Sequence, residues 1–425
     1  MKWNVFIGFI VAGSIAYGQG VLSLQSCLDK VEENSLQTLT EVNLVSSAKV
    51  TLQFHWWTLL PMLNATSGVN TSFGRRLDPF TNTFATSSVN SQSFGLNSSV
   101  PIVNGFSYFH KRNFLKASIE RDETGLKRKL NELKIRAVET YLTLCDLSVR
   151  TELAELRIEK YKQIQDIQKL LINEGRINAI DTLKSHYSLL NEQDVLVNLL
   201  HEAKLMEIDL NFQMGLPLNT EHTVDISSLF VSEEKVQFEE VYLAELVEAE
   251  LELTENQWKI ERSKLFPVIS LNGLVGTGFS TNNKNYLLDG TPTKPYLGQI
   301  RENLYEGIGF YLNIPLFNRG EWLKTRQLSR IKQTELTGKV ELTNQLLEKR
   351  QLEHRQARLN LKAKLEQNKQ QINNLEMIYT KSILLYREGR LTYPELEAAL
   401  MEWQVKLAEC ERLKLDNQLL EHYEY

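Results

Sequence analysis

The side chains that could do chemistry are present in this chain but are not arranged to do it. Seven histidines (His55, His110, His186, His201, His222, His354 and His422) lie far apart, with no pair at ligand spacing, so they do not read as a metal centre. Cys27, Cys145 and Cys410 are equally scattered, and an odd count without a pairing pattern argues against a disulfide-stapled domain. Leu24-Gln25-Ser26-Cys27 has the look of a lipoprotein cleavage box but does not directly follow an apolar run. Cys27 is therefore expected to be a small buried residue in a first helix. No nucleophile elbow offers a serine to a histidine, and no Gly-x-x-x-x-Gly-Lys loop is present to cradle a phosphate. Catalysis, cofactors and bound metals are not expected. What does recur is a carboxylate six positions after a glycine: Asp181 after Gly175 and Glu395 after Gly389, each glycine inside Glu-Gly-Arg. Glycine suits the left-handed residue that ends a helix, and a carboxylate just beyond it suits the positive end of the next helix. Pro394 fits the same helix start.

These two turns belong to a longer repeat. Leu171 to Asn191 and Leu385 to Val405 match at an offset of 214 residues, and Ser99-Val100-Pro101-Ile102 matches Asn313-Ile314-Pro315-Leu316 at the same offset. A repeat of this length takes precedence over local motifs. It divides the 425 residues into a first repeat at 19–217, a polar connector at 218–237 and a second repeat at 238–425. Residues 1–18 read as a secretory signal peptide, with Lys2, an apolar run from Val5 to Ile15, and Ala16 and Gly18 before a cut at Gln19. That run is too short to cross a bilayer as a helix. The net charge of −5 gives no case for a nucleic-acid partner.

The spacing predicts the elements that carry the turns. Leu22 to Leu60 is helical, and Pro61 marks a change to period two. Leu63, Ala65, Val69 and Phe73 then alternate with Asn64, Thr66, Gly68, Asn70 and Ser72, giving a strand at about 62–73. A second strand at about 93–102 sets Phe94, Leu96, Val100 and Ile102 against Ser93, Gly95, Asn97 and Ser99. From Phe106 to about Asn173 there is no proline, and Leu126, Leu130, Leu133 and Ala137 follow a coiled-coil seam. About 70 helical residues would reach roughly 100 Å. A tip at 174–181 breaks this helix, and Ile180 to Met214 runs back. The second repeat gives a helix from about Phe238 to Phe266, Pro267, strands at about 268–277 and 306–314, Pro315, a helix to Arg387, a tip at 388–395 and a last helix from Pro394. Pro61, Pro101, Pro267 and Pro315 are read as the strand–helix switches.

The strands are about ten residues long, the length that a tilted strand needs to cross a bilayer. One face is apolar and the other is mostly Gly, Ser, Asn and Thr, as suits a water-filled lumen. An ordinary half-buried sheet is the rival reading, but helices of this length are far too long to cap one. Four strands with open edges cannot sit in lipid, and closure across several copies of the chain removes those edges. Trp56, Trp57, Phe106, Tyr108, Phe109 and Trp322 cluster where helices meet strands, as an interfacial aromatic belt would.

Taken together, the leader, the Leu22 to Leu28 opening, the duplicated half, the Val-Pro and Ile-Pro switches and the paired glycine tips resemble the TolC-type outer-membrane efflux protein family. Gly74 to Pro79 and Thr81-Asn82 are similar to the form of that family in Bacteroidetes-like organisms. The resemblance covers essentially the whole mature chain. It implies a mainly α fold with β, in which duplicated coiled-coil hairpins form a trimeric α-barrel and four strands per chain contribute to a twelve-stranded β-barrel. It also implies a bacterial outer-membrane location with a periplasmic helical extension. The partners implied are two further copies of the chain, outer-membrane lipid, a periplasmic adaptor and an inner-membrane transporter, in efflux or type I secretion. Carried over residue by residue, adaptor docking falls on Gly175, Ile177, Ile180, Asp181, Gly389, Leu391 and Glu395. Glu395 also falls where the family can place an aperture carboxylate, although Ala398 stands where a second one would be. The reading from another class is a periplasmic coiled-coil scaffold or adaptor without a pore.

Overall fold

A computed structural model describes residues 21–78, 81–85, 88–225, 236–284, 292–317 and 319–424; the expected leader and residues 226–235 of the connector lie outside the described residues. In chain order the elements are β1 (Val21–Leu22), α1 (Leu24–Asn34), α2 (Leu39–Phe54), β2 (Met62–Ser72), β3 (Arg76–Leu77), β4 (Phe84–Ala85) and β5 (Val89–Asn104). There follow α3 (Ser107–Asn173), α4 (Ala179–Gln213), β6 (Thr223–Val224), β7 (Val236–Gln237), α5 (Glu239–Ser263), β8 (Val268–Ser280) and α6 (Tyr296–Glu302). The chain ends with β9 (Tyr305–Asn313), α7 (Glu321–Arg387), α8 (Tyr393–His422) and β10 (Tyr423–Glu424). The fold is mainly α with a four-stranded antiparallel sheet. Helices α3 and α7 are each 67 residues long, and their ends, Ser107 and Glu321, Asn173 and Arg387, are offset by the same 214 residues as the sequence landmarks.

The chain divides into two compact units. One comprises Met1–Val42, Thr124–Ala244 and Leu342–Tyr425; the other comprises Asn43–Glu123 and Glu245–Glu341. The first unit is mainly helical, with two short parallel strand pairs. The Ser23 hydroxyl caps α1 by accepting from the Ser26 N–H at 3.2 Å. Leu24, Cys27, Leu28 and Val31 form the buried stripe of α1, packed with Leu133, Ala137 and Tyr141 of α3, Leu210 of α4, Met214 just after it, and Leu415 of α8. The Tyr141 hydroxyl donates to the Leu22 carbonyl (2.8 Å) and the Asp225 carbonyl (3.1 Å), which ties down the parallel pair β1–β6. All three cysteines are buried and free.

The second unit holds the sheet, in the order β2-β5-β8-β9 with every neighbour antiparallel. Two of the four strands run further than their alternation implied: β5 starts at Val89 and β8 continues to Ser280. Two switches are corrected. Pro101 does not end its strand. It sits at a bulge between Pro101 and Val103, so Val103 rather than Ile102 aligns with Ile269. A residue without an N–H is tolerated at such an irregularity. The turn into α3 comes later, at Gly105 (φ 62°) and Phe106 (φ 66°). A Cβ on Gly105 would lie 2.4 Å from the Ser263 carbonyl oxygen, so both its backbone angle and its close packing require glycine. Likewise Pro315 comes two residues after the end of β9, but α7 begins only after Arg319 (φ 58°) and Gly320 (φ 76°). Pro61 and Pro267 do stand immediately before β2 and β8. The expected helix from Leu22 to Leu60 is interrupted at Ser35, whose extended backbone and side chain start a 3-10 turn at Leu36. A serine hydroxyl competing for nearby N–H groups explains such a break.

Candidate functional site

The register assigns every sheet residue to one of two faces. On one lie Leu63, Ala65 and Val69 of β2, Phe94 and Leu96 of β5, Leu271 and Val275 of β8, and Ile308, Phe310 and Leu312 of β9. Most of these side chains are open among the described residues: Ile308 is 81% exposed, Phe310 73% and Leu312 60%, while Phe94 and Leu271 are half-buried. Contiguous exposed apolar surface of this kind marks an interaction face. The opposite face carries Asn64, Thr66, Gly68 and Asn70, then Ser93, Gly95, Asn97 and Ser99, and Asn272 and Gly276. Apart from Met62, Val268 and Leu274 it is mostly small and polar, and its groups bond one another; the Ser99 hydroxyl donates to Asn272 Oδ1 at 2.7 Å. Two tyrosines of β9, Tyr305 and Tyr311, lie over Gly276 and against Gly309; a Cβ would collide with the Tyr305 ring at the first and crowd the Tyr311 ring at the second. Strands β2 and β9 are the two edges. At the foot of the sheet, Trp56, Trp57, Phe106 and Phe109 are all exposed, and Tyr108 stacks on His55 with ring centroids 4.6 Å apart.

In the helical unit the two tips share one construction. After α3 the Arg176 N–H reaches back to the Leu171 carbonyl (2.9 Å), and after α7 the Arg390 N–H reaches the Leu385 carbonyl (2.9 Å). Gly175 and Gly389, both at φ 70°, occupy the left-handed position of this helix stop. They differ in their surroundings. A Cβ on Gly175 would meet open space, whereas one on Gly389 would lie 3.2 Å from the Arg176 guanidinium. That guanidinium donates to the Glu388 carbonyl and pairs with Glu174 at 3.2 Å, so one arginine joins both tips.

Comparison with solved structures adds a decisive likeness. CusC, solved in a study of transmembrane channel formation, superposes with a TM-score of 0.76 over 94% of this chain and 90% of its own, at 16% identity. The outer membrane protein VceC from Vibrio cholerae gives 0.73 over 94% and 95% at 12% identity. The CmeC outer membrane channel of Campylobacter jejuni gives 0.71 over 96% and 89% at 16% identity. The chain has the fold of these outer-membrane channels. No family model and no curated protein matches its sequence. No helix among the described residues is long and apolar enough to cross a membrane, a test that does not bear on the strands of a channel fold.

On this channel fold the residues singled out in the sequence fall into distinct roles. Ile177 and Leu391 are half-buried against a core of Ile164, Leu171, Tyr386, Tyr393 and Leu396, and so hold the tips from inside. Ile180 is exposed, and Asp181 lies in the first turn of α4, whose cap is the Asn178 side chain. Glu395 accepts from the Thr392 N–H (2.9 Å) and hydroxyl (2.8 Å). The first bond is the carboxylate half of a capping box, and the two together, the backbone one foremost, hold the Glu395 carboxyl below the usual carboxylate range. A carboxyl depressed by folding stabilises the tip above its unfolded value, and that contribution is lost as pH falls through the lower folded value. Amide protection at Thr392 should therefore fall on acidification from neutral to about pH 3, and Glu395→Gln should remove the acid step; an unchanged step in the variant would exclude Glu395 as its source.

Sequence reasoning missed Gln168. Fully buried between the hairpins, it donates to the Tyr386 hydroxyl (3.0 Å) and the Asp181 carbonyl (3.3 Å), and its carbonyl accepts from the Ser185 hydroxyl (2.5 Å). The signal was a glutamine at a seam position between Ile164 and Leu171. Arg176 was also missed, although it stands in the repeated Glu-Gly-Arg.

Proposed function

We propose that three copies of this chain form a TolC-type channel-tunnel in the bacterial outer membrane, carrying cargo outward from the periplasm or from an inner-membrane pump by efflux or type I secretion. The observation that carries this reading is a sheet with one exposed apolar face, one small polar face and two open edges. Joining β9 of each copy to β2 of the next would close twelve strands, which satisfies the edge groups that lipid cannot. The apolar face then meets lipid and the polar face lines water. Repeats 19–217 and 238–425, joined by the connector 218–237 behind a cleaved leader at 1–18, supply equivalent halves of the wall. The tips are the end that meets a periplasmic adaptor, which in turn engages the inner-membrane transporter. Of the tip residues, Ile180 offers an exposed apolar contact, Gly175 and Gly389 shape the turns, and Glu395 secures the start of α8. An aperture role for Glu395 would require its carboxylate to leave Thr392. The conduit performs no reaction of its own.

The test is assembly and conduction. The mature protein should purify only in detergent, with the mass of three chains, and should produce discrete ion-conducting steps in planar bilayers. A water-soluble monomer would exclude the channel. The pore-free scaffold is separated from it by cysteines placed at Leu96 and Leu312: both should react with a membrane-confined reagent in the channel and with an aqueous one in the scaffold.

A further inference from the structure

The sheet does not end where its strands do. Strand β9 begins at Tyr305, opposite Gly276, so the last four residues of β8 have no strand on that side. Helix α6 takes its place and is fixed there by side chains that act as a strand backbone would. The Ser280 N–H donates to Gln299 Oε1 (2.9 Å), and Gln299 Nε2 donates back to the Ser280 carbonyl (3.1 Å). The Asn303 amide donates to the Gly278 carbonyl (2.7 Å), and the Thr277 hydroxyl donates to the Ile300 carbonyl (2.5 Å). Gln299 is fully buried. Ser280, also fully buried, gives its hydroxyl proton to Asp78, which brings the other loop at this end of the sheet to the same point. The helix cannot turn away from where it is held without breaking these bonds.

What α6 presents outward continues the apolar face. The Tyr296 ring lies against Phe279 (5.1 Å between centroids) and its hydroxyl donates to the Gln92 side chain (2.9 Å); Phe279 and Gln92 both point to that face. Leu304 shares a shallow concavity with Phe94, Leu96 and Val275. Leu297 is 73% exposed, and Arg301, one turn on, is exposed between Leu297 and Leu304. The polar residues Gln92 and Glu306 appear on this face at the same end, marking where apolar side chains give way. A rigid short helix with leucines and a tyrosine outward, an arginine among them, and a carboxylate at its level matches a lipid headgroup boundary. Apolar groups reach the acyl chains there and the cation meets phosphate.

We infer that α6 is an interfacial anchor, seated in the headgroup layer of the leaflet at the loop end of the sheet. The inference rests on the lipid-facing reading of the sheet, and the experiment separates the two. Leu297→Cys and, as a reference on β9, Ile308→Cys would each be labelled with an environment-sensitive fluorophore; the native cysteines are buried. The proteins would be reconstituted in dioleoylphosphatidylcholine vesicles containing phosphatidylcholine brominated either near the headgroup or deep in the chains. Leu297→Cys should show blue-shifted emission and lose fluorescence mainly to the shallow bromines, and Ile308→Cys mainly to the deep ones. Leu304→Cys should behave as Leu297→Cys does. Quenching of the Ile308 label without quenching of the Leu297 label overturns the anchor and leaves the channel standing. A blue-shifted but unquenched Leu297 label means that protein, such as a neighbouring copy, covers the helix, and also overturns it. Failure to quench either label removes the lipid-facing sheet and the anchor together.

Discussion

Gly389→Trp should abolish export while trimer yield and single-channel conductance in planar bilayers stay as in the parent protein. Two costs coincide at this residue. A side chain at φ 70° carries about 1–2 kcal/mol of left-handed strain. Its Cβ would also stand 3.2–3.6 Å from the Arg176 guanidinium, so the larger indole must displace the arginine from the Glu388 carbonyl. The tips then lose their common hold, and the exposed surface around Ile180 is no longer presented in one conformation. Gly175→Ala is the informative companion, because its Cβ would meet open space. It should lower export only as far as the backbone strain requires. If Gly389→Trp exports normally, glycine has only its turn-forming role and the tips are not where the adaptor acts.

The second large effect belongs to the other unit. Ile308→Arg should remove the protein from the outer-membrane fraction as an assembled trimer. Ile308 is the most exposed of the large apolar residues of β9 on the apolar face, at 81%. An arginine on the lipid side of a barrel costs about 2–4 kcal/mol near the midplane, and a trimer would incur it three times. Asn97→Arg, on the polar face and also exposed, makes the control. It should assemble normally and shift ion selectivity toward anions, since it adds positive charge to the lumen. Detergent-resistant trimer on gels and reversal potentials in salt gradients report the two arms. Equal tolerance of both substitutions would mean that the two faces of the sheet see the same solvent.

Much of this architecture was legible because two periods dominate the chain. Alternation such as Asn64-Ala65-Thr66 and Gly309-Phe310-Tyr311 fixes which face a residue serves, and absence of proline from Phe106 to Asn173 leaves one long helix as the simplest outcome. The constant offset of 214 residues carried through to the ends of α3 and α7. What escaped depended on partners distant in sequence. The pairing of Val21 with Thr223, or of Tyr423 with Val236, involves two residues on each side and leaves no periodic trace. Helix α6 is seven residues just after two prolines in a loop, and its stability comes from Gln299 and Asn303 meeting β8. The bulge after Pro101 shifts the register by one place, and simple alternation carries no mark of such an insertion. At the tips, glycine and carboxylate were visible, but the bridge from Arg176 to Glu388 required knowing that residues 212 apart touch.

That bridge restricts how the protein can change over evolutionary time. Losing one residue from α3 near the tip would draw Arg176 back by about 1.5 Å and swing it by roughly 100° around the helix axis, away from its acceptor. A compensating loss in α7 would have to fall in the matching stretch and preserve the facing of Tyr386 toward Gln168. Lineages of this gene should therefore drift freely in side-chain identity along the hairpins, while indels there survive only as coordinated pairs.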